Sequence, residues 1–168
     1  MKSYPVKLAL LSAFAAVVGL VAPANAKDFK MPEKKPTISV SYPDSWKPEE
    51  TDDGVQGQTA DGAVYLSVEA SKSEKGMNSI IESTFDMFKE HKVKIDQSSK
   101  KTSKFQIAGQ DAEEMIFTGK DEDGPTVISI TIFTVKDSVI VISYWASADS
   151  EEKYQPAIAK IVKSIKVL

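Results

Sequence analysis

The chain has 168 residues, no cysteine, and 21 lysine plus arginine residues against 24 acidic ones, for a formal net charge of −3. The absence of cysteine excludes disulfides, cysteine-linked lipid anchors and thiol catalysis. The mild acidity argues against nucleic acid as a partner. All 21 basic residues are lysines, so the chain lacks the arginine that usually recognises phosphate in a bidentate way.

Residues 1–26 have the pattern of a cleaved secretory signal peptide. Lys2 and Lys7 form a positive segment before an uncharged apolar run of about 14 residues, whereas a spanning helix needs roughly 20. Ala24-Asn25-Ala26 is a small-x-small cleavage site. The leader holds two of the 21 lysines and no acid, so the remaining 142 residues carry a net charge of −5. We expect this mature chain to be periplasmic or, alternatively, secreted, without a transmembrane anchor.

The mature chain begins with charged residues and two prolines, and residues 27–36 are predicted to form a flexible N-terminal arm. Alternating apolar and polar residues predict a first strand over Thr37–Tyr42. Asp61-Gly62 is a hairpin signal, because both residues tolerate positive φ. It joins strands predicted over 54–59 and 63–70.

Two apolar stripes at helical spacing predict two helices. The first runs from Met77 to near His91, with Asn78 or Ser79 as its cap. The second closes the chain and is capped by Asp149 or Ser150. Four strands are predicted between the helices: one through Phe105 and Ile107, then 112–118, 126–135 and 139–145. The last two are almost continuously apolar, which is typical of central strands covered on both faces.

Every connection between neighbouring strands is short, so the sheet should be mainly antiparallel. Two helices with one apolar stripe each can cover its two faces. The length suits one core, and we therefore expect a single globular α+β domain over residues 37–168.

Short motifs along this domain resemble a known fold family. They are Tyr42-Pro43-x-x-Trp46, Ile107-Ala108-Gly109-Gln110, and a last helix carrying Tyr154, Ile158, Ile161, Val162 and Ile165. Together they resemble the PsbP-like fold, which photosystem II extrinsic proteins share with DcrB-type bacterial envelope proteins. The resemblance implies a three-layer α/β/α sandwich with a mainly antiparallel central sheet of six to seven strands and two main helices. It also implies non-enzymatic docking onto another protein, with no catalytic residues to carry over.

The residues themselves offer little chemistry. The chain has one histidine, His91, which lies among lysines and has no evident carboxylate partner. Zinc and copper sites usually need several His or Cys ligands. The acidic segment Lys120–Gly124 lacks calcium-loop spacing, and no carboxylate pair is placed in a cleft. We therefore predict no catalytic residue, no metal and no cofactor.

Two groups of residues are candidate binding sites. Lys100, Lys101 and Lys104 belong to a lysine strip that begins at Lys89 and favours an acidic protein or an anionic membrane surface. Trp46 and Trp145 are the candidates from a set of aromatic residues that also contains Tyr42, Tyr65, Tyr144 and Tyr154. The first group predicts an exported accessory or assembly factor that binds another envelope protein. The second leaves the alternative of a carrier for a small apolar ligand in an aromatic-lined pocket.

Overall fold

The computed structural model describes residues 25–168, so the predicted leader lies outside the described residues apart from Asn25 and Ala26. Ten strands and two helices follow one another along this part of the chain. In order they are β1 (Ala26–Met31), β2 (Ile38–Pro43), β3 (Glu49–Glu50), β4 (Gly54–Gln58), β5 (Val64–Ser71), α1 (Glu74–Glu90), β6 (Lys94–Ile107), β7 (Gln110–Lys120), β8 (Pro125–Val135), β9 (Ser138–Ser147), α2 (Glu151–Lys163) and β10 (Lys166–Val167).

The strands form two sheets, and every described pairing is antiparallel. The central sheet has seven strands in the order β3-β4-β5-β9-β8-β7-β6. A smaller sheet has the order β1-β2-β10. The predicted α+β class with a mainly antiparallel central sheet is confirmed. The smaller sheet was not predicted, because alternation shows that a strand has one buried face but not which sheet it joins.

The two helices cover opposite faces of the central sheet. Ile80 of α1 packs with Ile130 and Val141, whereas Ile158 of α2 packs in a cluster with Leu66 and other residues of the opposite face. Strands β8 and β9 lie between these layers and are buried over nearly their whole length. The prediction that they are central strands covered on both faces is therefore confirmed.

Helix α1 begins earlier than its apolar stripe indicates. Its N-cap is Ser73, whose side chain accepts a hydrogen bond of 3.0 Å from the Gly76 amide, and the predicted caps Asn78 and Ser79 lie inside the helix. The first two residues of the helix, Glu74 and Lys75, are charged and exposed, so the apolar periodicity that marks the buried face begins only at Met77. Helix α2 begins at Glu151, directly after Ser150, and holds Pro156 inside it.

The N-terminal segment differs from the flexible arm predicted over residues 27–36. Strand β1 pairs with β2 along its full length, and Phe29 and Met31 are only 5% and 1% exposed. These two side chains are two residues apart, so they lie on one face of the strand. The charged residues between and around them hide that period in the sequence. The segment therefore contributes to the core.

Replacing Met31 by alanine should destabilise the domain by about 2–5 kcal/mol, because it removes a buried side chain and leaves a cavity. Urea denaturation of the mature chain would measure this loss. The exposed neighbour Lys30, replaced by alanine, is the matched control and should change stability by less than about 0.5 kcal/mol. Equal stability of the two variants would contradict the burial of Met31 and support a flexible N-terminal arm.

Candidate functional site

Strand β6 forms one edge of the central sheet, and β7 is its only neighbour there among residues 25–168. A two-residue turn joins the two strands. Its residues Ala108 and Gly109 have φ of 51° and 78°, and Ile107 pairs with Gln110 across it. Positive φ at both central positions is the requirement of a type I′ hairpin turn, whose twist matches that of the strands. The turn therefore fixes the register of β6 against β7.

The regular ladder of β6 is interrupted by a bulge. Asp96 pairs with Thr118 and Lys101 pairs with Ile116, so residues 97–100 stand opposite a single residue. The Ser99 hydroxyl accepts a 2.8 Å hydrogen bond from the Thr118 amide, which ties the bulge to β7. The Ser98 hydroxyl and amide donate to the Asp96 carboxylate at 2.6 and 2.9 Å, and these bonds lower the pKa of Asp96. After the bulge, pairing with β7 is continuous from Lys101 to Ile107.

The structure places the three candidate lysines along this edge but not on one face. Lys100 lies in the bulge, Lys101 pairs with Ile116 and Lys104 pairs with Glu113. Neighbours three positions apart on a strand point to opposite faces, so Lys101 and Lys104 flank the edge from the two sides. All three are exposed. The ammonium of Lys104 lies 3.6 Å from the Glu113 carboxylate, an exposed pair that contributes little stability.

The two candidate tryptophans lie elsewhere, and one of them is a core residue. Trp46 is only 3% exposed and meets the Tyr154 ring edge-on at 6.4 Å between centroids. Trp46 therefore does not present a binding surface. Trp145 is half-buried and packs on the α1 side of the sheet, 6.3 Å from the Phe88 ring and 5.3 Å from the His91 ring.

Three members of the aromatic set lie in the core. Tyr42, Trp46 and Tyr144 are each 3% exposed or less. They do not line the open grooves beside β1, β6 and β7. The geometry therefore supports core packing for them, with the Tyr42 hydroxyl donating to the Leu66 carbonyl at 3.1 Å.

A buried carboxylate is the polar feature that the sequence analysis missed. Glu114 of β7 is 2% exposed, and its Oε2 accepts a 3.2 Å hydrogen bond from the Ser103 hydroxyl. Its Oε1 and the Tyr144 hydroxyl have no hydrogen-bond partner within residues 25–168. Burial raises the pKa of Glu114, and the hydroxyls of Ser129 and Ser103 oppose that rise.

Glu151, at the start of α2, is electrostatically coupled to Glu114. Burial, and then repulsion by Glu114, raise the pKa of Glu151. The sequence did contain a signal for the inward position of Glu114, because Glu114 alternates with the buried residues Ala112 and Ile116 along β7. Residue type alone groups Glu114 with its neighbour Glu113, although successive strand residues face opposite ways.

Two further properties of residues 25–168 bear on the kind of site they can form. This part of the chain contains no group of three or more His, Cys, Asp or Glu side chains placed to hold a metal ion. None of the helices within the described segment combines the length and apolar character needed to cross a bilayer.

Several solved structures superpose on this chain at low sequence identity. Cyanobacterial PsbP (CyanoP) from Synechocystis sp. PCC 6803 superposes with a TM-score of 0.54 at 13% identity, covering 91% of this chain and 98% of that chain. A protein from Bacteroides thetaiotaomicron superposes with a TM-score of 0.55 at 14% identity; 84% of this chain is covered but only 48% of that longer chain. LpqN of Mycobacterium tuberculosis, described as involved in cell envelope biogenesis, gives a TM-score of 0.47 at 13% identity, with 85% and 91% covered.

The chain therefore has a PsbP-like fold, as its sequence motifs indicated. At these identities the likeness concerns the fold alone. No protein-family model and no curated protein matches the sequence. A proposal about function must therefore be based on the surface residues of this protein and not on its fold.

Proposed function

We propose that the protein is a non-enzymatic accessory or assembly factor that is exported to the periplasm and binds another envelope protein there. The predicted signal peptide supports the export. A single observation supports the binding role: the outer edge of the central sheet is formed by a long, exposed, lysine-rich strand, β6.

Four exposed lysines lie along this edge, at positions 94, 100, 101 and 104. Of these, only Lys104 has an ion-pair partner among the described residues. The mature chain is acidic, with 19 lysines against 24 carboxylates, so this edge is a local departure from the charge of the whole protein. Such a charged patch speeds encounter with a partner of opposite sign and selects against partners of the same sign.

The proposal is tested by reversing charge at the edge. A variant with Lys100→Glu, Lys101→Glu and Lys104→Glu should capture at least tenfold less of its partner in envelope crosslinking followed by mass spectrometry. Screening by salt should weaken capture by the wild-type protein as well. Osmotic-shock fractionation of the same cells should recover the processed protein with the periplasmic contents.

The matched control reverses three exposed lysines away from the edge, Lys75→Glu, Lys160→Glu and Lys166→Glu, and so changes the net charge by the same amount. It should capture the partner as the wild type does. Thermal midpoints of both variants establish that the fold survives. Undiminished capture by the edge variant, or equal loss in the control, would count against β6 as the docking surface.

A further inference from the structure

The backbone of β6 has a fixed polarity at its outer edge. In an antiparallel hairpin with a two-residue turn, the pair that flanks the turn exchanges both of its hydrogen bonds, and bonded pairs then alternate along the ladder. Here the flanking pair is Ile107 and Gln110. Residues 101, 103, 105 and 107 therefore direct their backbone groups towards β7. Thr102, Lys104 and Gln106 direct theirs outward, where the described part of the chain adds no further strand to the central sheet.

This outward-facing segment has sharp limits. It ends at the turn Ala108–Gly109 on its C-terminal side and at the bulge over 97–100 on its N-terminal side. Between them, seven residues pair in regular register and contain no proline. A strand of this length, about 23 Å, is enough to receive an added strand. Backbone hydrogen bonds supply affinity in such complexes, and the flanking side chains supply specificity.

The flanking charges decide what kind of strand can add here. Lys101 and Lys104 lie on the two sides of the segment and are exposed. A second copy of β6, paired antiparallel so that 101–107 overlap fully, would bring Lys104 against Lys104, and like charges directly opposite one another destabilise a sheet. An acidic residue beside Lys104 gains attraction instead, and Lys104 can exchange its exposed Glu113 partner for it. Because side chains alternate along an extended segment, its acidic residues share the face of Lys104 and the residues between them lie on the face of Phe105.

An open groove of about 780 Å³ adjoins the half of the segment that lies nearer the turn. Its lining includes Lys104 and Phe105 of β6, Ile132 and Phe133 of β8, and the carboxylates of Asp111 and Glu113 on β7. The groove therefore offers apolar surface for the apolar side chains of an added strand. The acidic side chains of that strand would compete with Glu113 for Lys104.

We propose that an extended segment of the partner, with alternating acidic and apolar residues, adds as an eighth strand to the outer edge of β6 over residues 101–107, pairing with the backbone of Thr102, Lys104 and Gln106. This inference rests on the proposed function, because it specifies how the envelope partner is held. It adds the requirement that binding uses the backbone as well as the lysines.

The test uses the mature protein and an end-blocked seven-residue peptide of alternating glutamate and valine. Amide exchange followed by NMR should slow at least tenfold at Thr102, Lys104 and Gln106 when the peptide is saturating. A peptide of alternating lysine and valine, and the acidic peptide N-methylated on alternate residues, should have no such effect. Acidic peptide that leaves these three amides unprotected up to millimolar concentration overturns the inference.

Two variants test the backbone while keeping every lysine. Thr102→Pro and Gln106→Pro each remove an outward N–H that the ladder with β7 does not use, and proline is tolerated on edge strands at such positions. Each should weaken peptide binding at least tenfold, while Thr102→Ser keeps the amide and should bind as the wild type does. If a proline variant does not fold, the amide exchange of the wild-type protein decides the question.

The two proposals fail in different ways. If the lysine-to-glutamate variant loses its envelope partner but folded proline variants keep both the partner and the peptide, docking is electrostatic and strand addition is overturned. If the lysine variant keeps the partner, the docking role of this edge is itself wrong. Loss in both kinds of variant, with protected amides, supports strand addition.

Discussion

Replacing Gly54 by alanine is expected to cost about 3 kcal/mol or more of the free energy of unfolding, because backbone would have to move to accept the methyl group. A Cβ at this position would lie 2.1 Å from the Val68 carbonyl oxygen and 2.8 Å from the Glu69 Cα. Gly54 pairs with Glu69 at the start of the β4–β5 ladder. Both obstacles are backbone atoms of a strand that is itself held by β9, so neither can yield by a change of rotamer.

Gly62→Ala is the matched control for this substitution. Gly62 has a φ of +69° and open space around its Cβ position, so alanine there meets only the left-handed backbone penalty, roughly 1 kcal/mol. Urea denaturation of both variants separates close approach from backbone strain. A loss at Gly54 no larger than that at Gly62 would contradict the tight contact between β4 and β5.

Glu114→Gln should stabilise the protein at neutral pH, by about 1–3 kcal/mol, because it removes a charge that burial disfavours while keeping the shape of the side chain. Burial raises the pKa of Glu114 in the folded state above that of the unfolded chain. The folded protein therefore holds this proton more tightly. The carboxyl group supports folding fully below its unfolded pKa, and that support is lost as the pH rises through the higher folded pKa.

The gain from glutamine should consequently be large at pH 7.5 and small near pH 4, where the wild-type carboxyl is protonated in the folded state and mostly protonated in the unfolded chain. Urea denaturation at the two pH values measures the difference. Glu113→Gln, at the exposed neighbouring position, should change stability by less than about 0.5 kcal/mol at either pH. A Glu114→Gln variant whose stability difference from wild type does not vary with pH would show that this carboxylate is solvated.

The sequence predicts the central sheet well because periodicity reports burial directly. The apolar runs of β8 and β9 and the stripes of the two helices depend on which side chains face the core, and these features are confirmed. Strand β1 was not predicted, because a period can be recognised only where enough residues are buried. Only Phe29 and Met31 are buried there, and two positions among lysines and acids are too few to establish a period.

The candidate site was predicted less completely. Sequence reasoning found the lysines of β6 but could not tell that they flank a sheet edge, because strand order depends on long-range pairing. It also could not separate Trp46 from Trp145. One is enclosed by α2 and the other is half-buried beside α1, and residue type alone does not distinguish these environments. The inward position of Glu114 could have been predicted from its alternation with the apolar residues Ala112 and Ile116. Its charge alone suggests an exposed position instead.

Because the turn at Ala108–Gly109 has two residues, the number of residues between it and a position on β6 determines whether the backbone groups at that position face outward. Substitutions along the strand change side chains but leave the same amides facing outward. One residue inserted into the strand between the turn and Thr102 would instead shift the alternation by one, so that other amides would face outward and each lysine beyond it would change sides. The length of this hairpin arm should therefore vary less among homologous chains than its composition, and an alignment could examine this without any knowledge of the partner.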